Sequence, residues 1–152
     1  MTQKALIVDD DPLVRNLIAT LLRRKGMIAV QAADGDEAIA LLTQSQPVLP
    51  DAHDFDLILL DLMMARTSGW DVLRHIQSQM PELLPHVVVV SASGDLGARD
   101  VERVGCGAIL PKPFDAEELY RIVGKCLRGP HGLPNTTLPV LALFCSLGLA
   151  AM

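Results

Sequence analysis

Ala5-Leu6-Ile7-Val8-Asp9-Asp10-Asp11-Pro12, residues 5–12, joins an unbroken apolar run to a cluster of carboxylates and then to a proline. A short apolar run closed by polar side chains is the habit of a strand buried on both faces, as in parallel sheets covered by helices. Pro12 suits a first helical turn, where its missing N–H has no intrahelical partner to lose. These eight residues predict strand, acidic turn, helix. The pattern returns along the chain. Residues 55–60 and 87–90 are strong strand candidates, and 28–30 and 108–110 weaker ones. Between them lie amphipathic segments. Val14, Leu17, Ile18, Leu21 and Leu22 form an apolar stripe after Pro12, and Arg23, Arg24 and Lys25 favour its C-terminal end before Gly26. Further helices are expected over 36–43 (Ala38, Leu41 and Leu42 inward), 70–80 (Val72, Leu73 and Ile76 inward) and 96–104. A last one opens at Asp115, an N-cap followed by acids, with Leu119, Ile122, Val123 and Cys126 inward.

The order βαβαβαβαβα predicts an α/β domain: a five-stranded parallel sheet with right-handed crossovers and helices on both faces. In such sheets the binding crevice lies outside the carboxyl ends of the strands. Composition agrees with one domain of 152 residues, half of them hydrophobic and 20% charged. Aromatics are only 3%, so aliphatic side chains must fill the core. The net charge of −5 argues against a nucleic-acid partner, which would want a basic stripe. Cys106, Cys126 and Cys145 are too few and scattered for a disulfide framework, and the N-terminus has no signal-peptide core, so a cytoplasmic setting is expected.

All Lys, Arg, Asp and Glu residues lie at or before Arg128. Residues 1–128 are therefore expected to form the folded domain and 129–152 an uncharged apolar tail. Its final run, 138–152, contains Pro139 and falls short of the ~20 residues needed to span a bilayer. It also lacks flanking basic residues, which argues against a membrane anchor. Packing on the domain or pairing with a second copy of the chain both stay open. His53, His75, His86 and His131 do not group at ligand spacing; His75 falls inside a helix and His86 opens a strand, and all four are read as structural or surface residues.

Function should sit at the strand ends. Strand one ends in Asp9, Asp10 and Asp11, strand three in Asp61 and strand four in Ser91, while Lys112 follows strand five. Each has an ordinary explanation alone; Asp11 before Pro12 is a helix cap. Together they place carboxylates, a hydroxyl and an ammonium on one rim. Crowded carboxylates call for a cation, and hard oxygen donors suit Mg²⁺. A carboxylate can also attack phosphorus to form an aspartyl phosphate. Asp61 can supply the attacking oxygen, Asp9 and Asp10 can hold the metal, and Lys112 and Ser91 can meet phosphoryl oxygens.

Here the sequence resembles the receiver domain of bacterial two-component response regulators, over about residues 4–127. The resemblance is carried by Leu6-Ile7-Val8-Asp9-Asp10-Asp11-Pro12, Ala33-Asp34-Gly35-Asp36-Glu37-Ala38, residues 56–64 around Asp61, Val90-Ser91-Ala92 and Lys112-Pro113-Phe114. It implies a flavodoxin-like three-layer sandwich. It further implies Asp61 as phosphoacceptor, Mg²⁺ held by Asp9, Asp10, Asp61 and the Met63 backbone carbonyl, Ser91 as the switch hydroxyl, and Lys112 beside a cis bond to Pro113. The phosphoryl donor would be a histidine kinase or phosphotransfer protein, and the output a protein–protein surface.

Two positions depart from the family pattern. Ala65 stands where receivers usually carry proline, which predicts a looser loop. Ile109 replaces the usual aromatic three residues before the lysine, which weakens the expected coupling to the surface around strand five. An interaction module that is never phosphorylated is the alternative. An enzyme resembling aspartyl-nucleophile phosphatases fits poorly, since Met63 occupies the place of their second Asp and no cap is inserted.

Overall fold

Leu57-Ile58-Leu59-Leu60-Asp61 is buried along its whole length, and the domain is layered around it. The computed structural model of the chain describes residues 2–44, 54–92, 100 and 103–128. In chain order the elements are β1 (Lys4–Val8), α1 (Pro12–Arg24), β2 (Ile28–Ala32), α2 (Gly35–Gln44), β3 (Leu57–Asp61), α3 (Gly69–Gln79), a 3-10 helix (Pro81–His86), β4 (Val87–Ala92), β5 (Ala108–Lys112) and α4 (Ala116–Arg128). The strands form one five-stranded sheet in the order β2-β1-β3-β4-β5, with every pair parallel. This is the α/β, flavodoxin-like arrangement expected from the sequence.

Successive strand residues face opposite sides of a sheet, so each buried strand feeds two cores. On one side Ala5, Ile7, Leu57, Leu59, Val88, Val90 and Leu110 pack against α1 and α4, through Ile18, Leu22, Leu119 and Ile122. On the other, Leu6, Val8, Ile58, Leu60, Val87 and Val89 pack against α2 and α3, through Ala38, Leu42, Val72, Leu73 and Ile76. β2 is added on one side of β1 and β3 on the other. The order of strand addition therefore reverses between β1 and β3, whose C-terminal ends border the crevice typical of such sheets.

Local chemistry sets the helix ends. The Asp11 carboxylate accepts the Leu13 N–H at 2.9 Å and Pro12 opens α1. Gly26 ends it at φ +80°, a conformation glycine adopts without steric cost. Asp115 caps α4 by accepting the Glu118 N–H at 2.8 Å.

Three expectations change. Leu17 is half exposed rather than inward; Ala19 takes a core position instead, because the side of α1 that meets the core runs through Ile18, Ala19 and Leu22. His86 closes the 3-10 helix rather than opening β4, since Pro81 and Pro85 hold that stretch in a tight turn. Lys112 is the last residue of β5, not part of a following loop. The expected helix over 96–104 lies mostly outside the described residues, with 100, 103 and 104 helical, and the 128/129 boundary and tail lie outside them too.

Ile58→Ala should lower the unfolding free energy in urea by about 3 kcal/mol, because it opens a cavity in the central strand. Leu17→Ala should change it by less than about 1 kcal/mol, since that side chain is half in water already.

Candidate functional site

Asp9, Asp61 and Lys112 each stand two residues beyond a core residue of the α1/α4 side: Ile7, Leu59 and Leu110. The two-residue period of the strands therefore aims all three toward the same side of the sheet. Asp9 and Asp61 are buried, with relative exposures of 1% and 5%, while Asp10 is exposed. Asp9, Asp10 and Asp61 each offer a carboxylate oxygen, and these oxygens lie within 4.8 Å of one another.

Lys112 Nζ donates to Asp9 Oδ2 at 3.2 Å and to Asp61 Oδ2 at 3.3 Å. One ammonium shared between two carboxylates sits farther from each than the 2.7–2.9 Å usual for a dedicated charged pair. Main-chain amides hold the remaining oxygens. Asp9 Oδ1 accepts the Asp11 N–H at 2.8 Å, Asp61 Oδ1 the Met63 N–H at 3.1 Å, and Asp10 Oδ2 the Ala65 N–H at 3.3 Å. Arg15 Nη1 donates to the Asp9 carbonyl at 2.6 Å, and Arg15 Nε to Gln31 Oε1 at 3.2 Å, which ties the start of α1 to the end of β2.

Burial pushes the Asp61 carboxyl above its ordinary pKa. The Met63 amide and Lys112 oppose that shift, while neighbouring Asp9 adds to it. Burial pulls the Lys112 ammonium down, but Asp9 and Asp61 more than reverse this and leave it raised. Three carboxylates against one ammonium leave a formal excess of two negative charges. All the candidate donors are hard oxygens, so the residues present fit a small divalent cation such as Mg²⁺. A cation there would also favour the ionised Asp61 carboxylate, against the burial that raises its pKa and the smaller push from Asp9.

Ser91 is buried at the end of β4, one residue past Val90, which pairs with Asp61. It shares the alternation of Val87 and Val89, and its hydroxyl donates to the Ala92 carbonyl at 3.1 Å. Met63 exposes its side chain at the rim (65%), and its N–H meets Asp61. The Lys112–Pro113 bond is cis, as the resemblance implied.

Several contributors escaped the sequence reading. Gly69 opens α3 so close to β3 that a Cβ there would lie 2.1 Å from the Asp61 carbonyl oxygen. Its N–H donates to the Leu62 carbonyl at 3.1 Å, and Ser68 and Asp71 form a capping box around it. The Arg15 guanidinium grips the Asp9 main-chain carbonyl, and Ala65 acts through its own main-chain N–H. A main-chain donor has no side-chain signature, so only Gly69 was open to recognition, as a glycine at a helix start.

The model of the response regulator receiver domain family matches residues 5–124, and the chain belongs to that family. Among curated relatives, it is 32% identical to the DNA-binding dual master transcriptional regulator RpaA of Synechocystis, over 87% of this chain and 52% of the relative. It is 33% identical to the transcriptional regulatory protein CpxR of Escherichia coli K12, over 84% of this chain and 50% of that one. The chain thus spans about half the length of these relatives. It superposes on the receiver domain of NtrX from Brucella abortus with a TM-score of 0.68 at 31% identity, covering 82% of this chain and 98% of that one. Receiver domains are signalling modules of two-component systems that bind Mg²⁺ at an acidic pocket. Among the described residues, no helix is long and apolar enough to cross a membrane.

The raised Asp61 pKa carries a sign. The fold favours the neutral carboxyl, so ionising Asp61 costs stability above the unfolded-state pKa, and that cost fades as pH falls through the raised value. Metal-free Asp61→Asn should therefore melt at a higher temperature than the parent chain at pH 7, with the gap closing on acidification toward pH 4. Asp9 remains as the partner of Lys112. A variant that melts below the parent at pH 7, followed by circular dichroism in EDTA, would contradict this.

Proposed function

We propose that this chain accepts a phosphoryl group on Asp61 from the phosphohistidine of a histidine kinase or phosphotransfer protein, and signals through a protein–protein surface. The observation that carries the reading is the setting of Asp61: a buried carboxylate at the end of the central strand, with Lys112 Nζ at 3.3 Å and a second buried carboxylate, Asp9, on the same ammonium. In the transfer an Asp61 oxygen forms the new O–P bond while the P–N bond to the donor imidazole breaks, and the imidazole leaves. Asp9, Asp10, Asp61 and the Met63 carbonyl would hold Mg²⁺, which supplies positive charge against the phosphoryl oxygens when bound.

The protein's own groups do the rest. The Met63 N–H fixes the rotation of the Asp61 carboxylate. Lys112, held by two carboxylates, is positioned to exchange one of them for a phosphoryl oxygen. Ser91, whose hydroxyl now serves the Ala92 carbonyl, would turn to the phosphoryl group and carry β4 with it. Electrostatic preorganisation of this kind spares the site reorganisation at the moment of reaction. A cytoplasmic setting and an output without nucleic-acid contact by this domain belong to the same reading, supported by the free thiols of Cys106 and Cys126 and by the net charge of −5. The relatives named as transcriptional regulators are about twice as long, so DNA binding is said of them alone.

Ile109 keeps the second reading, an unphosphorylated interaction module, in view. It lies half-buried on β5 opposite Val89, where the family usually has an aromatic.

Intact-protein mass spectrometry after incubation with acetyl phosphate separates the two. The expected outcome is a gain of one phosphoryl group that needs Mg²⁺, disappears with EDTA and is absent in Asp61→Asn. No gain in a folded chain that binds Mg²⁺ would favour the interaction module.

A further inference from the structure

The connection from β3 to α3, residues 62–68, lacks the proline whose absence predicts a looser loop, yet it is tied at both ends and in the middle. Its closing bond runs from the Gly69 N–H to the Leu62 carbonyl at 3.1 Å. Thr67 Oγ1 donates to Asp36 Oδ1 in the first turn of α2 at 2.7 Å. The Thr67 carbonyl and methyl press on Gly35, where a Cβ would meet them at 2.6 and 2.7 Å. Between these anchors Met64 is buried in the α2/α3 core, while Met63 and Ala65 on either side of it are exposed.

The amides flanking that buried methionine go to two different carboxylates. Met63 N–H donates to Asp61 Oδ1 at 3.1 Å and Ala65 N–H to Asp10 Oδ2 at 3.3 Å. We propose that these two amides form a bridge that sets the spacing between the Asp61 and Asp10 carboxylates, with Ala65 a positioning residue for a divalent cation through its main-chain N–H.

The inference rests on the reading of Asp10 and Asp61 as cation ligands. Asp10 is the exposed member of the acidic set, so packing alone does not fix its side chain. An amide on one carboxylate oxygen leaves the other able to meet a cation. Proline has no N–H, so a chain with proline at this position could not make the bond to Asp10. The absence of proline thus exchanges stiffness of the loop itself for a direct hold on a ligand. The Thr67–Asp36 and Gly35 contacts supply stiffness from outside.

The test is a Mg²⁺ titration by calorimetry on the parent chain, Ala65→Pro, Ala65→Gly and Thr67→Val, with ¹H–¹⁵N spectra of the parent. Ala65→Pro should bind Mg²⁺ about five- to tenfold more weakly, the scale of one exposed hydrogen bond lost. Ala65→Gly keeps the N–H and should stay within about twofold, the size of a small loop-entropy change. Thr67→Val should weaken binding less than Ala65→Pro. In the parent, the Ala65 amide signal should move with the same Mg²⁺ midpoint as the heat. Equal affinity for Ala65→Pro and the parent would overturn the bridge, as would equal weakening in the proline and glycine variants. Should Ala65→Pro fail to fold, an Ala65 amide signal indifferent to both Mg²⁺ and Asp10→Asn would overturn it instead. A parent chain that takes up no Mg²⁺ would remove the cation reading itself, and the bridge with it.

Discussion

One ammonium held between two buried carboxylates is the constraint on which the functional end of this domain depends. Asp9 and Asp61 are almost fully withdrawn from water, a costly position for two like charges unless positive charge is supplied nearby. Lys112, from the far side of β4, supplies it at 3.2 and 3.3 Å. It cannot satisfy both fully, and Asp10 adds a further negative charge at the rim. The result is a site with a built-in deficit of positive charge. A cation answers that deficit, and a phosphoryl group arriving with one would offer Lys112 a new partner.

The sheet makes the arrangement permanent. β1, β3 and β5 present their charged residues in step with the core residues behind them, so Asp9, Asp61 and Lys112 cannot turn away without unseating Ile7, Leu59 and Leu110. Leu110 and the β3 core residues are fully buried. The same packing that stabilises the domain therefore holds the site. The loops add finer control: amides of Asp11, Met63 and Ala65 each take a carboxylate oxygen, and Gly69 lets the start of α3 close against the Asp61 carbonyl.

Much of this was legible in the residues. Residues 87–90 read as a doubly buried strand because four valines in a row leave neither face polar, and all four are buried. Val72, Leu73 and Ile76 gave the inward face of α3 correctly because the spacing leaves only one apolar stripe. Leu17 misled, since its spacing is as good as that of Ile18, and only the contact with the sheet selects Ala19 instead. His86 misled for a different reason: it closes a 3-10 helix over 81–86, and such a helix leaves no hydrophobic period to detect.

The alternation of strands and helices, the two-sided burial of the sheet and the placement of Asp9, Asp10, Asp61, Ser91 and Lys112 at strand ends can be read from the residues alone. These follow from local patterns, because hydrophobic period and capping chemistry act over a few residues. It takes the folded chain to show that Lys112 bridges Asp9 and Asp61, that Ser91 turns its hydroxyl to the Ala92 carbonyl, and that Ala65 reaches Asp10 across 55 residues of chain. Those contacts depend on strand order and on main-chain amides. Strand order joins residues far apart in the chain, and every non-proline residue has an amide, so neither is written in the identity of any one residue.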